Sequence, residues 1–417
     1  MRNLKSWFSV ASIFLILALV LVGCGQAATT GTTAGTTGAT SAGTTAGTTA
    51  GTTAAPTTAK PAEPIKIALV APMTGDSAQY GNQFKRGIEL YLEEYNKKGA
   101  FNGAKVELTV FDDKNDPKEA VNIGNKIVAA GDFFCVIGPF SSTCGLAMAE
   151  VLDEEKILTI SPSVSHADYV KNFDYTFRLS HVNSTEGQFV AKYCAQKWDT
   201  KKMAAIYTNN DWGLSLDEAF KAEVAAQGME LVANEPFIIG QTKDFSPILT
   251  KIKQNAADTV YLICQYTEAG QIMRQIEELD IDIKVFVSSS SFKTESLELA
   301  GQTAAKDARW VTSFILDNPD PKLQNFRKLV RERYNVDIDN MIVRAYDAVY
   351  MALMAMDSVK KFDSQSIKDE LMKIKDFDAM SGKFSLEPDR NVKRLFFIAV
   401  PSNDNKTFVF LEEPVLK

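Results

Sequence analysis

Histidine is nearly absent from this chain of 417 residues, which contains only His166 and His181. The five cysteines are scattered without a CxxC pair or a histidine cluster, so no set of ligands typical of zinc is present. The GxSxG, Walker A and GxGxxG motifs are missing as well. We therefore expect no metal site, no cofactor and no enzymatic activity.

Positive charge is scarce relative to negative charge. The chain has 45 Lys and Arg against 52 Asp and Glu, which gives a formal net charge of −7 at pH 7. A nucleic-acid surface needs concentrated Lys and Arg to neutralise phosphates, so nucleic acid is not an expected partner. With 45% hydrophobic and 23% charged residues the composition is that of a globular protein, and the length is sufficient for two core-bearing units.

An apolar run from Trp7 to Val22 follows two basic residues near the start of the chain. A membrane-spanning helix needs about 20 apolar residues, so this run is short for an anchor and typical of an export signal. The sequence Leu21-Val-Gly-Cys24 resembles the bacterial lipoprotein signal, which implies cleavage before Cys24 and a diacylglycerol group on its thiol. We predict a signal peptide over residues 1–23 and a lipid-anchored protein on the extracytoplasmic face of a bacterial membrane. An uncleaved signal anchor is the alternative.

Low-complexity sequence follows the signal. Residues 26–63 consist almost entirely of Gly, Thr, Ala and Pro in loose GTTA repeats, with no charge before Lys60. Such a composition buries too little apolar surface to offset the entropy of an ordered chain. We therefore predict a flexible, lipid-anchored linker over residues 24–63, which separates the anchor from a folded body.

From residue 64 onward, short β-branched runs alternate with longer amphipathic stretches. The runs are typical of buried parallel strands and lie at 66–70, 106–111, 133–137, 158–160, 203–207, 259–263, 284–287 and 310–314. Helical spacing predicts helices around 84–95 and over 118–130, 143–155, 184–197, 213–227, 243–255, 267–279, 322–334, 341–358 and 364–374. This alternation predicts an α/β fold of two lobes, each a parallel sheet with helices on both faces, with ligands beyond the carboxyl ends of the strands.

A series of short motifs then carries a family resemblance. The motifs are Ala68–Gly75, Tyr80-Gly81, Phe111–Asp113, Asp116-Pro117, Val136–Pro139, Ile160–Pro162, Asp211–Gly213, Lys243–Phe245, Gly270-Gln271 and Ala345–Ala348. In this order they resemble the type I periplasmic binding proteins of the leucine/isoleucine/valine (branched-chain amino acid) group, the binding lipoproteins of ABC importers. The resemblance covers residues 65–417 and implies a clamshell with three hinge crossings near residues 182, 313 and 386. It places the N-terminal lobe at 64–183 plus 314–386 and the C-terminal lobe at 184–313 plus 387–417.

The resemblance also implies a function. Proteins of this family capture a small ligand between their lobes and deliver it to the membrane permease subunits of an ABC importer. We expect an amino acid or amino-acid-like ligand here, and a branched-chain amino acid first. Two alternatives remain open: a ligand-sensing receptor module, and an importer component for an amide or an aromatic or carboxylic acid that lacks an ammonium group.

Small hydroxyl residues follow two of the predicted strands. Ser142 comes just after strand 133–137, where a helix begins and free N–H groups favour an anion. The resemblance assigns its hydroxyl to the ligand's carboxylate, whereas a plain helix cap is the alternative. By the same resemblance, the backbone of Ser163 and the hydroxyl of Ser165 contact the ligand's polar head. A serine-rich turn is the alternative for these two residues.

Three aromatic residues follow predicted strands and are candidates for the walls of the cleft. They are Tyr80, Trp212 and Tyr266. An aromatic ring at such a place buries the apolar part of a ligand, and a tyrosine hydroxyl can add a directed hydrogen bond. Packing against a neighbouring helix is the alternative for each.

The ligand's ammonium group lacks its usual partner. The resembled family places a glutamate after the strand at 284–287, whereas Ser290 stands at the matching position here. A neutral hydroxyl cannot replace a carboxylate, because an unpaired buried charge is strongly unfavourable. Either Asp211 or Glu268 substitutes for the glutamate, or the ligand has no ammonium group. The structural alternative is that both acids are solvent-facing residues at helix starts.

Overall fold

The computed structural model describes residues 63–99, 101, 103–301 and 303–416. The predicted signal peptide, Cys24 and all of the predicted linker except residue 63 lie outside these ranges. None of the helices within the ranges combines the length and the apolar character that a bilayer span requires.

Five parallel strands form the first sheet, in the spatial order β2-β1-β3-β4-β5. They are β1 (Ile65–Ala71), β2 (Val106–Asp112), β3 (Phe133–Ile137), β4 (Thr159–Ser161) and β5 (Thr176–Arg178). Strands β1 and β3 are almost continuously apolar because hydrophobic cores lie on both faces of this sheet. Four of the five strands were predicted, and β5 is too short to stand out in the sequence.

The second sheet has seven strands in the order β12-β11-β10-β9-β8-β6-β7. They are β6 (Lys202–Thr208), β7 (Glu230–Phe237), β8 (Thr259–Ile263), β9 (Lys284–Val287), β10 (Arg309–Thr312), β11 (Phe397–Pro401) and β12 (Phe408–Glu412). Strands β6–β10 pair in parallel, whereas β11 is antiparallel to both β10 and β12. This edge differs from the expected parallel sheet, and neither β11 nor β12 was predicted. The short connection between these two strands can only close a hairpin, which makes this pair antiparallel. Strand β7 was not predicted, since Asn234, Glu235 and Pro236 interrupt its apolar pattern, which an edge strand tolerates.

The described residues also form twelve α-helices and a 3₁₀ turn at Ser289–Ser291. The helices are α1 (Ala78–Lys97), α2 (Pro117–Ala130), α3 (Ser142–Glu154), α4 (Asp168–Lys171), α5 (Asn183–Lys197), α6 (Asp211–Ala226), α7 (Ser246–Gln254), α8 (Tyr266–Glu278), α9 (Thr294–Ala300), α10 (Pro321–Tyr334), α11 (Asn340–Ser358) and α12 (Ser364–Leu371). Every predicted helix is present. Helices α4 and α9 were not predicted, because they are too short to show a clear period.

The chain moves back and forth between the two sheets. Helix α5 packs with α6 on the second sheet, whereas α11 and α12 share one hydrophobic core with β1 and β3. The crossings therefore lie between β5 and α5, between β10 and α10, and between α12 and β11. We call the five-stranded sheet with its helices the first lobe and the seven-stranded sheet with its helices the second lobe. The predicted fold class is confirmed, while the predicted residue boundaries of the lobes stay a prediction.

Candidate functional site

A cavity lies where strands of both sheets end. The space between protein atoms there, with its opening to solvent included, is about 520 Å³. The loops after β3, β4 and β5 line it from the first lobe, and those after β6, β8 and β9 line it from the second. The lining residues are Phe140, Ser141, Ser142, Ser163, Ser165, Ser180, His181, Asn210, Trp212, Gln265, Ser289, Ser290, Asn340, Met341 and Arg344. The cavity thus occupies the place where ligands bind in open parallel sheets.

The start of α3 forms one end of this cavity. Gly138, directly after β3, has φ of +121°, and a Cβ atom there would meet the carbonyl oxygen of Val70 at 2.0 Å. Only glycine fits this turn. Ser141 caps the helix, because its Oγ accepts a hydrogen bond from the backbone N–H of Cys144 at 3.3 Å. Ser142 is 2% exposed, and its Oγ has no partner in the described part of the chain, so the capping role belongs to Ser141 and the Ser142 hydroxyl is uncommitted.

The loop after β4 brings both of its predicted serines to the cavity. Two polar groups of Ser163 are already engaged: its N–H donates to Ser161 Oγ at 3.2 Å and its hydroxyl donates to the Phe140 carbonyl at 2.6 Å. Ser165 is buried, and its carbonyl accepts from the N–H of Asn183 at 2.9 Å. The ligand roles of Ser163 and Ser165 stay predictions, and the engaged groups of Ser163 point to a support role for this loop.

Of the three predicted wall residues, only Trp212 lines the cavity, where it is half-buried. Tyr80 is fully buried behind Phe140, and their ring centroids are 4.2 Å apart. The Tyr80 hydroxyl donates to the carbonyl of Ser290 at 3.2 Å. Tyr266 meets the ring of Tyr80 edge-on at 5.8 Å and does not line the cavity. Tyr80 therefore supports the wall from behind, and a ligand contact by Tyr266 stays a prediction.

Neither of the two acids proposed for an ammonium group lines the cavity. Asp211 is the first residue of α6, and Glu268 lies in the first turn of α8. Glu268 is buried, and this burial raises the pKa of its carboxyl. Ser290 does line the cavity, in the 3₁₀ turn after β9. The pairing of Asp211 or Glu268 with a ligand stays a prediction.

Sequence reasoning missed Arg344, which lines the cavity from the first lobe. It lies in the second turn of α11, four residues after Asn340, so both side chains share one face of the helix. Arg344 is 3% exposed and donates to Ser313 Oγ at 2.5 Å, in the crossing after β10. Burial lowers the pKa of its guanidinium to about 9, and the charge of Arg394 adds to this effect. The sequence signal that could have indicated Arg344 is a positively charged residue within a helix whose other residues are mostly apolar.

His181 was also missed, because no acid nearby in the sequence was recognised as its partner. The structure pairs its Nε2 with Glu186 Oε2 at 2.6 Å, and both side chains are buried. Glu186 also accepts from the hydroxyl of Tyr261 and from the N–H and hydroxyl of Ser289. Burial lowers the pKa of His181, while the bonds from His181 and Ser289 outweigh burial and hold the pKa of Glu186 below its usual range. A neutral imidazole and an ionised carboxylate follow, and Nδ1 of His181 has no partner among the described residues.

Contacts between the lobes surround the cavity. Lys293 of the second lobe forms an ion pair with Asp339, which caps α11 of the first lobe. The Lys293 side chain is 2% exposed and its ammonium lies 5.0 Å from the centroid of the Tyr80 ring. Gln79 of α1 also donates to Glu295 of α9. The structure therefore shows the two lobes in contact over the cavity.

Residues 64–406 match the model of the family described as periplasmic binding protein. The chain belongs to this family. The match confirms the family resemblance of the ordered motifs. The proteins of this family bind solutes.

Two kinds of comparison extend this result for the periplasmic binding protein. It is 31% identical over 290 residues to the Leu/Ile/Val-binding protein BraC3 of Rhizobium johnstonii, which covers 68% of this chain and 77% of that protein. The structure of LivJ from Streptococcus pneumoniae in complex with isoleucine is similar with a TM-score of 0.76 and 26% identity, over 84% of this chain and 99% of LivJ. A solute-binding protein of R. palustris in complex with benzoate has the same TM-score at 20% identity, over 84% of this chain and 95% of that one, which shows a shared fold.

Proposed function

We propose that this periplasmic binding protein captures a small carboxylate-bearing ligand, an amino acid or a close analogue, and delivers it to the permease subunits of an ABC importer. The observation that carries the proposal is the hydroxyl of Ser142, which is buried and unpartnered beside the capped start of α3. Free N–H groups and the helix dipole favour an anion at such a place.

The names of the relatives indicate which ligands to test first. BraC3 is named for leucine, isoleucine and valine, and the LivJ structure contains isoleucine. Their identity to this chain, 31% and 26%, supports a related ligand class. Branched-chain amino acids and their analogues therefore lead the list of candidates.

A thermal-shift screen followed by calorimetry tests the proposal on the chain from residue 25 to 417. A ligand that binds only the folded state raises the melting temperature. We expect at least one small carboxylate to do so, and Ser142→Ala to weaken its binding by roughly 1–2 kcal/mol. Ser366→Ala, at a helix start remote from the cavity, is the matched control. A screen in which no small carboxylate stabilises the protein would contradict the proposed function.

The proposal includes an anchor at Cys24, which the Leu-x-Gly-Cys sequence supports. In this view the lipid holds the protein on the extracytoplasmic face of a bacterial membrane, and the Gly/Thr/Ala-rich linker separates the cleft from the anchor. Labelling of cells with a clickable fatty acid tests it. We expect incorporation into the wild-type protein and none into Cys24→Ser, with unchanged ligand affinity. A labelled Cys24→Ser protein would show that the anchor is elsewhere.

A further inference from the structure

We propose that the ligand of this cavity is an organic anion without an ammonium group, and that Arg344, which lines the same cavity as Ser142, shares in binding its carboxylate. The inference rests on the proposed function and names the ligand class within it. It separates two groups of molecules that share a carboxylate, namely amino acids and their counterparts in which the amino group is absent or replaced by a keto group.

The surroundings of Arg344 carry the first step. The side chain lines the cavity and is 3% exposed, and among the described residues its one hydrogen-bond partner is Ser313 Oγ. Within the described ranges, no carboxylate oxygen lies within 4.0 Å of its guanidinium nitrogens. A guanidinium can donate five hydrogen bonds and matches a carboxylate in geometry. A buried arginine with this much unused capacity is suited to an anionic group in the cavity.

The acids whose charges reach Arg344 are engaged elsewhere. They are Glu186, Asp339 and Asp347. Glu186 is held by His181, Tyr261 and Ser289, and Asp347 accepts from the backbone N–H groups of Met380 and Ser381. Asp339 caps α11 and pairs with Lys293. None of these carboxylates is a lining residue of the cavity, so each moderates the charge of Arg344 without replacing a bound anion.

The rest of the cavity wall disfavours an ammonium group. None of the described residues that line it is Asp or Glu. Helices α3 and α11 begin at the cavity without an acid in their first turns, so the positive ends of their dipoles face it, whereas Asp211 and Glu268 occupy the first turns of α6 and α8. A desolvated ammonium beside Arg344, with no carboxylate to pair with, would be strongly unfavourable.

His181 supplies a polar contact that suits a neutral donor. Its bond to Glu186 makes Nε2 the protonated nitrogen of the imidazole, so Nδ1 is an acceptor, and it has no partner in the described part of the chain. An ammonium could also donate to this nitrogen. The positive charge of Arg344, which reaches His181 and lowers its pKa, would repel an ammonium placed there. A hydroxyl group satisfies Nδ1 without that repulsion. Phe140, Trp212 and Met341 then enclose the apolar body of the ligand.

Matched pairs of probes test the ligand class by calorimetry on the chain from residue 25 to 417. The pairs are leucine against 4-methylpentanoate and 4-methyl-2-oxopentanoate, and phenylalanine against 3-phenylpropanoate, with benzoate and leucinamide added. We expect the acids without an ammonium to bind at least about tenfold more tightly than their amino acids, and leucinamide not to bind. Amino acids that bind as tightly or more tightly would overturn the inference and leave the proposed function intact. No binding by any probe would count against both.

Variants of Arg344 test the residue assignment. For the tightest-binding acid we expect Arg344→Gln to reduce affinity roughly 30-fold or more, and Arg344→Lys to restore part of the loss because it keeps the charge. Arg331→Gln, an exposed residue of α10 in the same lobe, is the control. If Arg344 were only structural, both variants would lower the melting temperature and leave the order of affinities between anions and amino acids unchanged. Wild-type affinity for the acid in Arg344→Gln would overturn the assignment, and Arg344→Lys keeps it testable if the glutamine variant fails to fold.

Discussion

The two lobes contribute different surfaces to the same cavity. On the first-lobe side, Ser142, Ser165 and Arg344 are buried and polar, and they lie on a wall that the Tyr80–Phe140 stack supports from behind. On the second-lobe side, Gln265 and Ser289 are buried and neutral, whereas Trp212 in the first turn of α6 and Ser290 in the 3₁₀ turn after β9 are half-buried. This difference indicates that the first lobe holds the charged end of the ligand. Trp212 of the second lobe joins Phe140 and Met341 of the first around its apolar body. Substitutions in each lobe and between the lobes test this difference.

The largest effect is expected where charge is reversed on the first lobe. Ser142→Asp places a carboxylate at the start of α3, where we propose that the carboxylate of the ligand binds. The two like charges should repel each other, and affinity should fall by roughly 3 kcal/mol or more, about 150-fold. Calorimetry with the best carboxylate from the screen measures this loss.

Thr250→Asp is the control for this change, because it adds the same charge at an exposed position of α7 that does not line the cavity. Its affinity should equal that of the wild-type protein. Tight binding by Ser142→Asp would place the carboxylate seat elsewhere in the cavity.

The next effect concerns the contact between the lobes. Lys293→Met removes the buried ion pair with Asp339, so the closed arrangement loses stability relative to an open one. We expect affinity to fall by roughly 2 kcal/mol. Because each lobe keeps its own hydrophobic core, the melting temperature without ligand should change little by comparison.

Solution scattering before and after addition of ligand complements that measurement. The radius of gyration should decrease on ligand binding in the wild-type protein and decrease less in Lys293→Met at equal ligand concentration. Lys328→Met, which removes an exposed ion pair with Glu332, is the control and should behave like the wild-type protein. Equal affinity in Lys293→Met and wild type would mean that this ion pair does not hold the closed state.

A smaller effect is expected on the second-lobe wall. Trp212→Ala removes apolar contact with the body of the ligand, which should lower affinity by about 1–2 kcal/mol for an acid with a large apolar group. The loss should be smaller for propanoate than for 3-phenylpropanoate, because propanoate has little apolar surface to cover. Trp212→Phe retains most of the contact, so its affinity should lie between those of Trp212→Ala and the wild-type protein. A loss of equal size for both acids would indicate that Trp212 acts on closure rather than on the apolar body.

The smallest effect is expected at the hinge, where His181 is bonded to Glu186 and lies within reach of the charges of Arg344 and Arg394. Burial lowers the pKa of His181 in the folded state, whereas in the unfolded state this pKa is about 6.5. At a pH between the two pKa values, the unfolded state therefore binds more protons than the folded state. The free energy of unfolding should therefore fall as pH decreases below about 6.5. His181→Gln should remove this part of the pH dependence, by at most about 1.4 kcal/mol per pH unit.

Denaturant unfolding between pH 5 and pH 7 measures this slope, above the range in which an unfolded glutamate titrates (about 4.3). A wild-type slope in His181→Gln would show that another group is responsible.

Local patterns in the sequence determined most of the architecture. The apolar runs and helical periods predicted the inner strands and the long helices, because a strand covered on both faces must be apolar along its length. They failed at β5 and β7, where the strand is short or polar at a sheet edge, and at the antiparallel edge of the second sheet. The serines after β3 and β4 were also predictable, since residues that follow parallel strands meet at one end of the sheet.

Only the tertiary structure decided which polar groups face the cavity and which are already engaged. The sequence could not distinguish Ser141, which caps α3, from Ser142, whose hydroxyl is unpartnered, because that depends on the helix start. Arg344 lies about 200 residues after Ser142 in the chain, and it reaches the same cavity because α11 returns to the first lobe. Long-range packing sets such proximities, and the local sequence carries no record of them.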